Sequence, residues 1–349
     1  MTHVGFVGAG AAASATAYAL ETRVPDAETT IVEKSRGLCG RAATRRRGEV
    51  TYDYGANYVK ADDERVNALL TEVLDTDGLV DVTEPIWTFD REGTISPGRD
   101  ADDHKWSYRA GLTQIAKRLL SRTTATVHRG CRVERIERHE RTWTLADTGG
   151  HEYGPFDALV LNPPAPQTAT LLEDAAWDDE CRAELAAAVA DVPYRPVWTA
   201  VLGYDHELEW PYYALVNADK DHEIGWIARE ECKPGHVPDG ESVLVVQAGG
   251  EWSREHYDEP PEENVRVLAD HAADLLEDDR LREPTWTDHQ GWRYALPKAG
   301  VDREPLASAE AHDLYCVGDW VAGEGRLHAA LKNGLETGET VAASLENRC

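Results

Sequence analysis

The chain has 349 residues, which is long enough to bury a large core and to form two domains. Its 64 acidic residues outnumber its 36 basic residues, and the formal net charge is −28. A surface of this sign repels nucleic acid and anionic lipid, so we expect neither nucleic acid nor a membrane as a partner. No run of about 18 apolar residues occurs, and we therefore expect no membrane span.

The acidic residues are spread along the whole chain, and 28 arginines stand beside only 8 lysines. One interpretation is an ordinary acidic soluble protein. The other is a halophilic protein that works in molar salt. We favour the second, because repulsion between so many unscreened carboxylates would destabilise the folded state in dilute buffer.

The cysteines predict neither a disulfide framework nor a metal site. They are Cys39, Cys131, Cys181, Cys232, Cys316 and Cys349, and no two of them have zinc-ligand spacing. No signal peptide is recognised, because the apolar N-terminal stretch lacks a basic region before it. We therefore expect reduced thiols, a cytoplasmic location and no bound metal.

The first predicted unit is a strand, a glycine-rich turn and a helix. His3–Val7 forms the buried strand, and an alanine-rich helix follows the turn as far as Leu20. Gly8 permits the tight turn, Gly10 allows a pyrophosphate to approach the backbone, and Ala13 is small enough for close helix packing. The free N–H groups of the helix N-terminus attract phosphate, so this unit predicts dinucleotide binding.

A second strand, Thr29–Val32, ends on Glu33, which lies where a carboxylate meets the ribose hydroxyls of the adenosine. The segment from Lys34 to Arg41 then favours FAD over NAD. In this segment Gly40 permits close approach, and the Arg41 guanidinium suits a pyrophosphate.

The next predicted elements alternate between the two domains. Tyr52–Tyr58, which includes Asn57, is predicted as an apolar-aromatic strand with a glycine turn. Helices are predicted over Asp62–Asp75, Gly111–Leu120, Asp178–Ala190 and Pro261–Leu276, and strands over Thr83–Phe89, Ala125–His128, Arg132–Ile136, Trp143–Leu145 and Phe156–Leu161.

The last predicted unit is a strand, Asp313–Val317, followed by Gly318 and Asp319 and then by a helix that begins near His328 and Ala329. A carboxylate in this place suits the ribityl chain of FAD. A helix N-terminus suits the flavin edge that gains negative charge on reduction.

These elements predict an α/β fold. A Rossmann-like FAD-binding domain comprises residues 1–60, 105–165 and 301–349. An inserted α+β substrate domain, built on an antiparallel or mixed sheet, comprises residues 61–104 and 166–300.

The chain resembles the renalase-like FAD-dependent oxidoreductases of the flavin amine oxidase superfamily. The matching segments are Val7–Gly10, Glu33–Gly37, Gly40–Arg46, Asp53–Tyr58, Ala110–Leu112, Pro163–Gln167, Gly225–Arg229, Lys233–Gly235, Glu251–Ser253, Trp292–Pro297 and Gly318–Trp320. The sequence departs from the family pattern at Cys39, where a second glycine is usual, at Asn57, where Gln is frequent, and at Gln290–Gly291, where a His-Arg pair is common.

The resemblance implies non-covalent FAD, with the strand around Val133 contacting the adenine through its backbone. It also implies a small-molecule substrate related to NAD(P)H, namely a dihydronicotinamide isomer, with O₂ as the electron acceptor. Hydride transfer to a flavin requires mainly orientation of the substrate and exclusion of water, so we expect aromatic walls.

Candidates for the substrate pocket are Trp226, Trp292 and Tyr294, with His289 as a possible polarising group. For the three aromatic residues the alternative is core packing, and for His289 it is a surface or packed position. Cys39 is either a reactive thiol or a small filler residue.

Two other functions remain open at this stage. One is an amine oxidase or a desaturase of the same superfamily, although three Phe and one Met provide little for the apolar tunnel of a desaturase. The other is a non-catalytic FAD-binding redox sensor.

Overall fold

The computed structural model describes residues 2–98 and 103–347, and Cys349 lies outside this part of the chain. The helices are α1 (Ala11–Arg23), α2 (Glu64–Ala68), α3 (Thr113–Leu120), α4 (Ala165–Glu173), α5 (Glu180–Ala190), α6 (Gly250–Glu255), α7 (Pro261–Leu276), α8 (Arg303–Glu310), α9 (Asp319–Ala322) and α10 (Leu327–Glu346). A π-helical turn covers Leu69–Val73, and 3₁₀ turns cover Glu230–Cys232 and Asp279–Arg282.

The strands fall into an N-terminal and a C-terminal set. The first set is β1 (His3–Val7), β2 (Glu28–Glu33), β3 (Thr44–Arg47), β4 (Val50–Asp53), β5 (Val59–Lys60), β6 (Leu79–Asp81), β7 (Ile86–Phe89), β8 (Ile95–Ser96), β9 (Lys105–Tyr108) and β10 (Thr126–Arg129). The second set is β11 (Val133–His139), β12 (Thr142–Asp147), β13 (Glu152–Phe156), β14 (Ala158–Leu161), β15 (Tyr194–Tyr204), β16 (Ala214–Asn217), β17 (Ile224–Arg229), β18 (Ser242–Ala248), β19 (Trp286–Pro297) and β20 (Leu314–Cys316).

A five-stranded sheet of order β10-β2-β1-β14-β20 forms the Rossmann-like part, and its neighbouring strands are all parallel. The carboxyl ends of β1, β2, β14 and β20 therefore meet at one edge. Ligands of open parallel sheets bind at this edge. The predicted α/β fold with a parallel Rossmann-like sheet is confirmed.

A second sheet of seven strands has the order β19-β15-β18-β17-β16-β7-β8. Its strands pair antiparallel except for β16 and β7, which run parallel. The sheet is therefore mixed, which is one of the two forms that the sequence predicted. Helix α7 packs against one face of this sheet, and Leu268, Ala269 and Ala272 lie in the same core as Leu244 and Val246.

Helices α1 and α10 pack closely against each other through two glycines of α10. A Cβ at Gly334 would lie 2.3 Å from the Ala12 carbonyl oxygen, and one at Gly338 would lie 2.5 Å from the Thr16 carbonyl oxygen. Glycine is therefore required at both positions. The contact joins the first and last units of the chain, whose loops meet at the carboxyl edge of the parallel sheet.

Some predicted elements differ from the structure. The helix Pro261–Leu276 is confirmed residue for residue, whereas the helix over Asp62–Asp75 divides into α2 and the π-helical turn. The strand over Tyr52–Tyr58 was wrong, because β4 ends at Asp53. Beyond this point Ala56 N donates to the Arg41 carbonyl, so the segment pairs with a loop and not with a strand.

The packing of helices α4 and α5 indicates where the boundary between the two domains lies. Leu172 of α4 and Leu185 of α5 share a buried core with Val133 and Leu159 of the FAD-binding part. We therefore propose that the substrate domain begins near residue 193 and not at residue 166. No helix in the described residues is long and apolar enough to cross a membrane.

Candidate functional site

The glycine-rich turn lies at the carboxyl edge of the parallel sheet, against the loop that follows β2. Gly8 has a φ of +94°, which favours glycine, and its N–H donates to the Val32 carbonyl at 2.8 Å. Cys39 N donates to the Ala9 carbonyl at 2.9 Å, and a Cβ at Gly40 would lie 3.4 Å from Gly10 Cα. The two loops therefore lie directly against each other at this edge.

Cys39 is a packed residue in this loop. Its backbone has a φ of +75°, a conformation in which glycine would be unstrained. The side chain is buried, and burial raises the pKa of the thiol to about 12. Because a nucleophilic cysteine needs a lowered pKa, the structure supports the filler interpretation.

Helix α1 begins without a cap from any side chain and without an acid in its first turn, and Ala13 on it is fully buried. Helix α10 begins in the same way, with His328 and Ala329 each 7% exposed at its start. The first N–H groups of a helix need partners, and a phosphate or another anion is a suitable one. His328 Nε2 lies 3.8 Å from a Glu324 carboxylate oxygen.

Glu33 lies at the end of β2, beside the turn, and is 7% exposed. Its Oε2 accepts from Ala9 N at 2.6 Å, and its Oε1 accepts from Ser35 N at 2.7 Å. Each carboxylate oxygen retains a second lone pair for a ribose hydroxyl. Through these two hydrogen bonds Glu33 also stabilises the glycine-rich turn and the loop after β2. The sequence motif did not indicate this role.

Arg41 and Asp319 form a bidentate ion pair between the first and last units of the chain, with N–O distances of 2.8 and 2.7 Å. Burial by itself opposes the charge of Arg41, but the Asp319 carboxylate outweighs it and raises the pKa of the guanidinium. Gly318, before Asp319, has a φ of +149°, and its N–H donates to the Asn333 side chain at 2.8 Å.

Asn162 joins the same two units and was not predicted as a site residue. Its Oδ1 accepts from Gly10 N at 3.0 Å, and its Nδ2 donates to the Val317 carbonyl at 2.9 Å. A signal for it existed, because Asn162 directly follows β14 at the carboxyl edge of the sheet.

Three other predicted cofactor residues surround this region. Lys34 is exposed and donates to Gln167 Oε1 at 3.1 Å, while Val133 begins β11 and is buried. Asn57 Oδ1 is a buried acceptor that has no hydrogen-bond partner among the described residues. A buried polar atom of this kind is costly unless a ligand or water satisfies it.

Trp292 and Trp226 lie on the face of the seven-stranded sheet that is turned toward residues 54–58. Trp292 is paired in register with Val197, and Trp226 with Gln247. Trp292 Nε1 donates to the Tyr54 carbonyl at 3.0 Å. Gln247 Nε2 donates to the Gly55 carbonyl at 2.7 Å, and Gln247 is a residue that the sequence analysis missed because only sheet register reveals it.

His289 lies on the other face of the sheet from these two tryptophans, whereas Tyr294 directly precedes Ala295, whose carbonyl accepts from Arg41 Nη1 at 2.8 Å. His289 is paired with Ala200, on the face that packs against α7, and its ring stacks on Trp198 with centroids 5.5 Å apart. Successive residues of a strand point to opposite faces, and that alternation directs His289 away from Trp292. Tyr294 packs edge-on against Tyr194 at 5.7 Å.

A sealed cluster of charges joins β4 to the segment after β17. Lys233 Nζ lies 3.0 Å from Asp53 Oδ2 and 2.8 Å from Glu230 Oε1, and His236 Nδ1 lies 2.7 Å from Glu230 Oε2. All four side chains are 0% exposed. The sequence analysis quoted Lys233 only as part of a motif and missed the cluster.

The ligand atoms of Asp53, Glu230 and His236 in this cluster are close enough together to hold a metal ion. The Lys233 ammonium already supplies a positive charge between the two carboxylates. The Glu230 pKa reflects this arrangement. Burial raises it, but Lys233 and His236 more than reverse that effect and lower it to about 2. We therefore interpret the cluster as an internal ion pair.

A parallel sheet with a glycine-rich turn between its first strand and helix is typical of dinucleotide-binding proteins. The model of the family described as flavin containing amine oxidoreductase matches residues 84–342, and that of the NAD(P)-binding Rossmann-like domain matches residues 7–73. The chain belongs to the flavin containing amine oxidoreductase family and is an enzyme of that family.

Solved structures with the same fold are distant in sequence. The chain is similar to a putative protoporphyrinogen oxidase from Exiguobacterium sp. 255-15, with 15% identity over 99% of both chains and a TM-score of 0.81. It is also similar to cyclohexylamine oxidase from Brevibacterium oxydans IH-35A, with 14% identity over 99% of both chains and a TM-score of 0.73. Putrescine oxidase with bound putrescine has 12% identity over 99% of both chains and a TM-score of 0.70. These likenesses show the fold.

The residues at the sheet edge fit FAD, the cofactor that the family implies. The uncapped N-terminus of α1 and the exposed backbone at Gly40 suit a pyrophosphate. Glu33 has lone pairs to spare for a ribose, and the buried Asn57 Oδ1 needs a donor.

Proposed function

We propose that this enzyme binds FAD non-covalently and oxidises a small reduced substrate of renalase type, a dihydronicotinamide isomer, with O₂ as the acceptor. The observation that carries the proposal is the approach of the sheet face with Trp226 and Trp292 to residues 54–58, beside the pair of Arg41 and Asp319. This arrangement leaves an aromatic wall opposite the cofactor residues.

In this proposal Glu33 binds the adenosine ribose, Arg41 the pyrophosphate and Asp319 the ribityl chain. When bound, the flavin supplies the hydride-accepting chemistry. Trp226 and Trp292 orient the substrate ring and exclude water from it, while Gln247 and the Trp292 indole hold the backbone at Tyr54 and Gly55.

The polarity of this wall favours a dihydropyridine over an amine. An amine that is protonated at neutral pH must lose this proton before it can donate a hydride, which calls for a base or for a lowered amine pKa. A dihydropyridine needs no deprotonation. At the described positions in register with Trp226 and Trp292 there is no carboxylate or imidazole, and His289 lies on the opposite face.

The test is anaerobic mixing of the purified protein with dihydronicotinamide isomers and, separately, with cyclohexylamine and putrescine, while the flavin absorbance is followed. Bleaching by a dihydronicotinamide isomer alone is the expected result. Bleaching by an amine alone would support the alternative of an amine oxidase, which the names of the similar structures suggest. No bleaching by any of them would favour a redox sensor.

The non-covalent attachment has a separate test. After acid precipitation the yellow cofactor should remain in the supernatant. Colour that stays in the protein pellet would contradict this part of the proposal.

We also propose that the protein works in a cytoplasm of molar salt. The support is the net charge of −28 and the five described cysteines, all of which are free thiols. Free thiols suit a reducing compartment, and high salt screens the repulsion between surface carboxylates.

A further inference from the structure

The β3–β4 hairpin lies along one row of side chains of β19. Asp288, Gln290 and Trp292 are alternate residues of β19 and therefore share one face of the seven-stranded sheet. The hairpin contacts this row through Arg45 of β3 and through Tyr54, which directly follows β4. The N-terminal part of the chain therefore packs directly against the sheet face that carries Trp292.

Arg45 donates to three acceptors on β19. Its Nη1 donates to Asp288 Oδ2 at 2.8 Å and to the His289 carbonyl at 3.0 Å, and its Nη2 donates to Gln290 Oε1 at 3.0 Å. Asp288 Oδ2 also accepts from Tyr52 OH at 2.6 Å. Because the guanidinium is planar and its donors have fixed directions, these acceptors together hold it in one orientation.

The oriented guanidinium lies over the ring of Tyr54, and this ring stacks on Trp292. Arg45 Cζ is 4.2 Å from the centroid of the Tyr54 ring, within the range of a cation–π contact. The centroids of the Tyr54 and Trp292 rings are 5.4 Å apart, and their planes differ by 21°. The Trp292 indole N–H also donates to the Tyr54 carbonyl at 3.0 Å. Each group in this series therefore limits the motion of the next.

Arg47 makes the same type of contact at the other end of the row. It lies on the same face of β3 as Arg45, and its Cζ is 5.2 Å from the centroid of the Trp286 ring. Trp286 is the first residue of β19 and pairs with Gly203, whereas Trp292 lies further along the strand. The two arginines therefore form a matched pair, and Arg45 is the one whose cation lies one ring away from Trp292.

We propose that Arg45 is a positioning residue of the substrate pocket, which fixes the Tyr54 ring and, through this ring, the indole of Trp292. This inference rests on the proposed function, in which Trp292 orients the substrate ring. Hydride transfer depends steeply on orientation, because donor and acceptor react only in a near-attack geometry. A wall that exchanges between conformations holds the substrate productively for only part of the time. Arg45 therefore raises the rate of hydride transfer.

The first experiment observes Trp292 itself and needs no substrate. The FAD-loaded protein is labelled with 5-fluorotryptophan, and the ¹⁹F resonances of Trp292 and Trp286 are assigned from their absence in W292F and W286F. We expect one narrow Trp292 resonance in the wild type and a broadened or split one in R45M, because the indole then exchanges between conformations. In the control R47M the Trp286 resonance should change, and the Trp292 resonance should not.

The second experiment measures the rate constant of flavin reduction at saturating substrate under anaerobic conditions. The substrate is the dihydronicotinamide isomer or the amine that bleaches the flavin of the wild type. The rate constant is expressed per bound flavin, so that partial unfolding or loss of cofactor does not change it. We expect R45M to lower it roughly 2- to 30-fold, the range to which a cation–π contact corresponds, and R47M to leave it unchanged.

A double-mutant comparison shows whether Arg45 acts through Tyr54. The variant Y54L removes the ring but keeps the backbone carbonyl that accepts from the Trp292 indole. In this background R45M should cause no further decrease of the rate constant, because the ring that carries its effect is absent. A decrease as large as in the wild-type background would mean that Arg45 acts by another route, and this result overturns the proposal.

Should R45M retain too little flavin for these measurements, D288N replaces it. This substitution removes the charge that holds the guanidinium but leaves an acceptor for it and for Tyr52 OH. The same changes of the Trp292 resonance and of the rate constant are then expected, with a smaller magnitude. Their absence in D288N contradicts the proposal as their absence in R45M does.

The outcomes separate this inference from the proposed function. A Trp292 resonance or a rate constant that is unchanged in R45M overturns the positioning role, as does an equal decrease of the rate constant in R45M and R47M. Flavin reduction by an amine alone rejects the proposed substrate, and the two arginine variants are then compared with that amine. If no compound reduces the flavin, the proposed function is rejected and the Trp292 resonance alone decides the role of Arg45.

Discussion

Two sets of ion-paired side chains in this enzyme consist of the same residue types, a base with acids, but differ in their exposure to solvent. Arg41 of the first unit of the chain pairs with Asp319 of the last, and Lys233 pairs with Asp53 at the end of β4 and with Glu230 three residues before it. The Arg41 side chain is 29% exposed and that of Asp319 is 7% exposed, whereas the side chains of the Lys233 cluster are 0% exposed.

The difference lies in access. The Arg41 guanidinium reaches an edge where parallel strands end and where helix α1 begins without a cap, so a ligand can share it. The Lys233 ammonium has protein on every side and serves to join β4 to the segment after β17. Residue type therefore does not separate a binding group from a structural one, but exposure and neighbouring backbone do.

The largest effect is expected from Lys233→Met. Removing the ammonium leaves two buried carboxylates without their cation, which costs about 3–5 kcal/mol of unfolding free energy. Urea unfolding of the FAD-loaded protein measures this loss. The control is Lys60→Met, because Lys60 pairs with Asp62 at a largely exposed site and should cost less than about 1 kcal/mol. Equal losses in the two variants would show that the cluster is not a structural junction.

A smaller effect on a different property is expected from Arg41→Gln. The loss of a charged donor to phosphate should weaken FAD binding by about 1–3 kcal/mol, while the apoprotein loses less stability than in Lys233→Met. Titration of apoprotein with FAD, followed by flavin fluorescence, measures the affinity. If Arg41→Gln instead lowered stability and kept full FAD affinity, the contrast between the two ion pairs would be reversed.

The pH dependence of unfolding tests the sealed cluster. The Glu230 pKa is about 2 in the folded protein, against an ordinary value of 4.5. A lowered pKa of a carboxyl adds stability above pH 4.5, and this contribution disappears as the pH falls from 4.5 toward 2. In Glu230→Gln the unfolding free energy should therefore fall less steeply over this window, by up to about 1.4 kcal/mol per pH unit. Identical slopes in the wild type and the variant would refute the assignment.

Salt is expected to change the stability of the protein least for each charge, because it screens only the exposed charged groups. The Debye length falls from about 10 Å at 0.1 M to about 3 Å at 1 M, so most screening is complete by about 1 M. The melting temperature and FAD retention should therefore rise between about 0.1 and 2 M KCl, mainly below 1 M. Lys233→Met should show the same increase as the wild type, because salt does not reach the cluster. A flat melting temperature in the wild type would reject the halophilic interpretation.

The sequence by itself determined the fold class and the flavin-containing family. Gly8, Gly10 and Glu33 belong to a short continuous motif, and the geometry of a turn between a strand and a helix depends on neighbours along the chain. The helix Pro261–Leu276 was predicted for the same reason, since its apolar periodicity is local.

Tertiary structure alone decided which distant side chains meet. Trp226 of β17 and Trp292 of β19 were chosen by residue type, and only the pairing of the strands shows that they lie on one sheet face. Alternation along β19 alone places His289 on the other face. A shift of one residue in strand register reverses the direction of every side chain, and a single sequence does not encode that register locally.

The charged groups show the same limit. Lys233 is separated from Asp53 by 180 positions. Whether each charge acquires a partner depends on how these distant segments pack together. The motifs at the carboxyl edge could therefore be recognised in the sequence, whereas the sealed cluster is visible only in the fold.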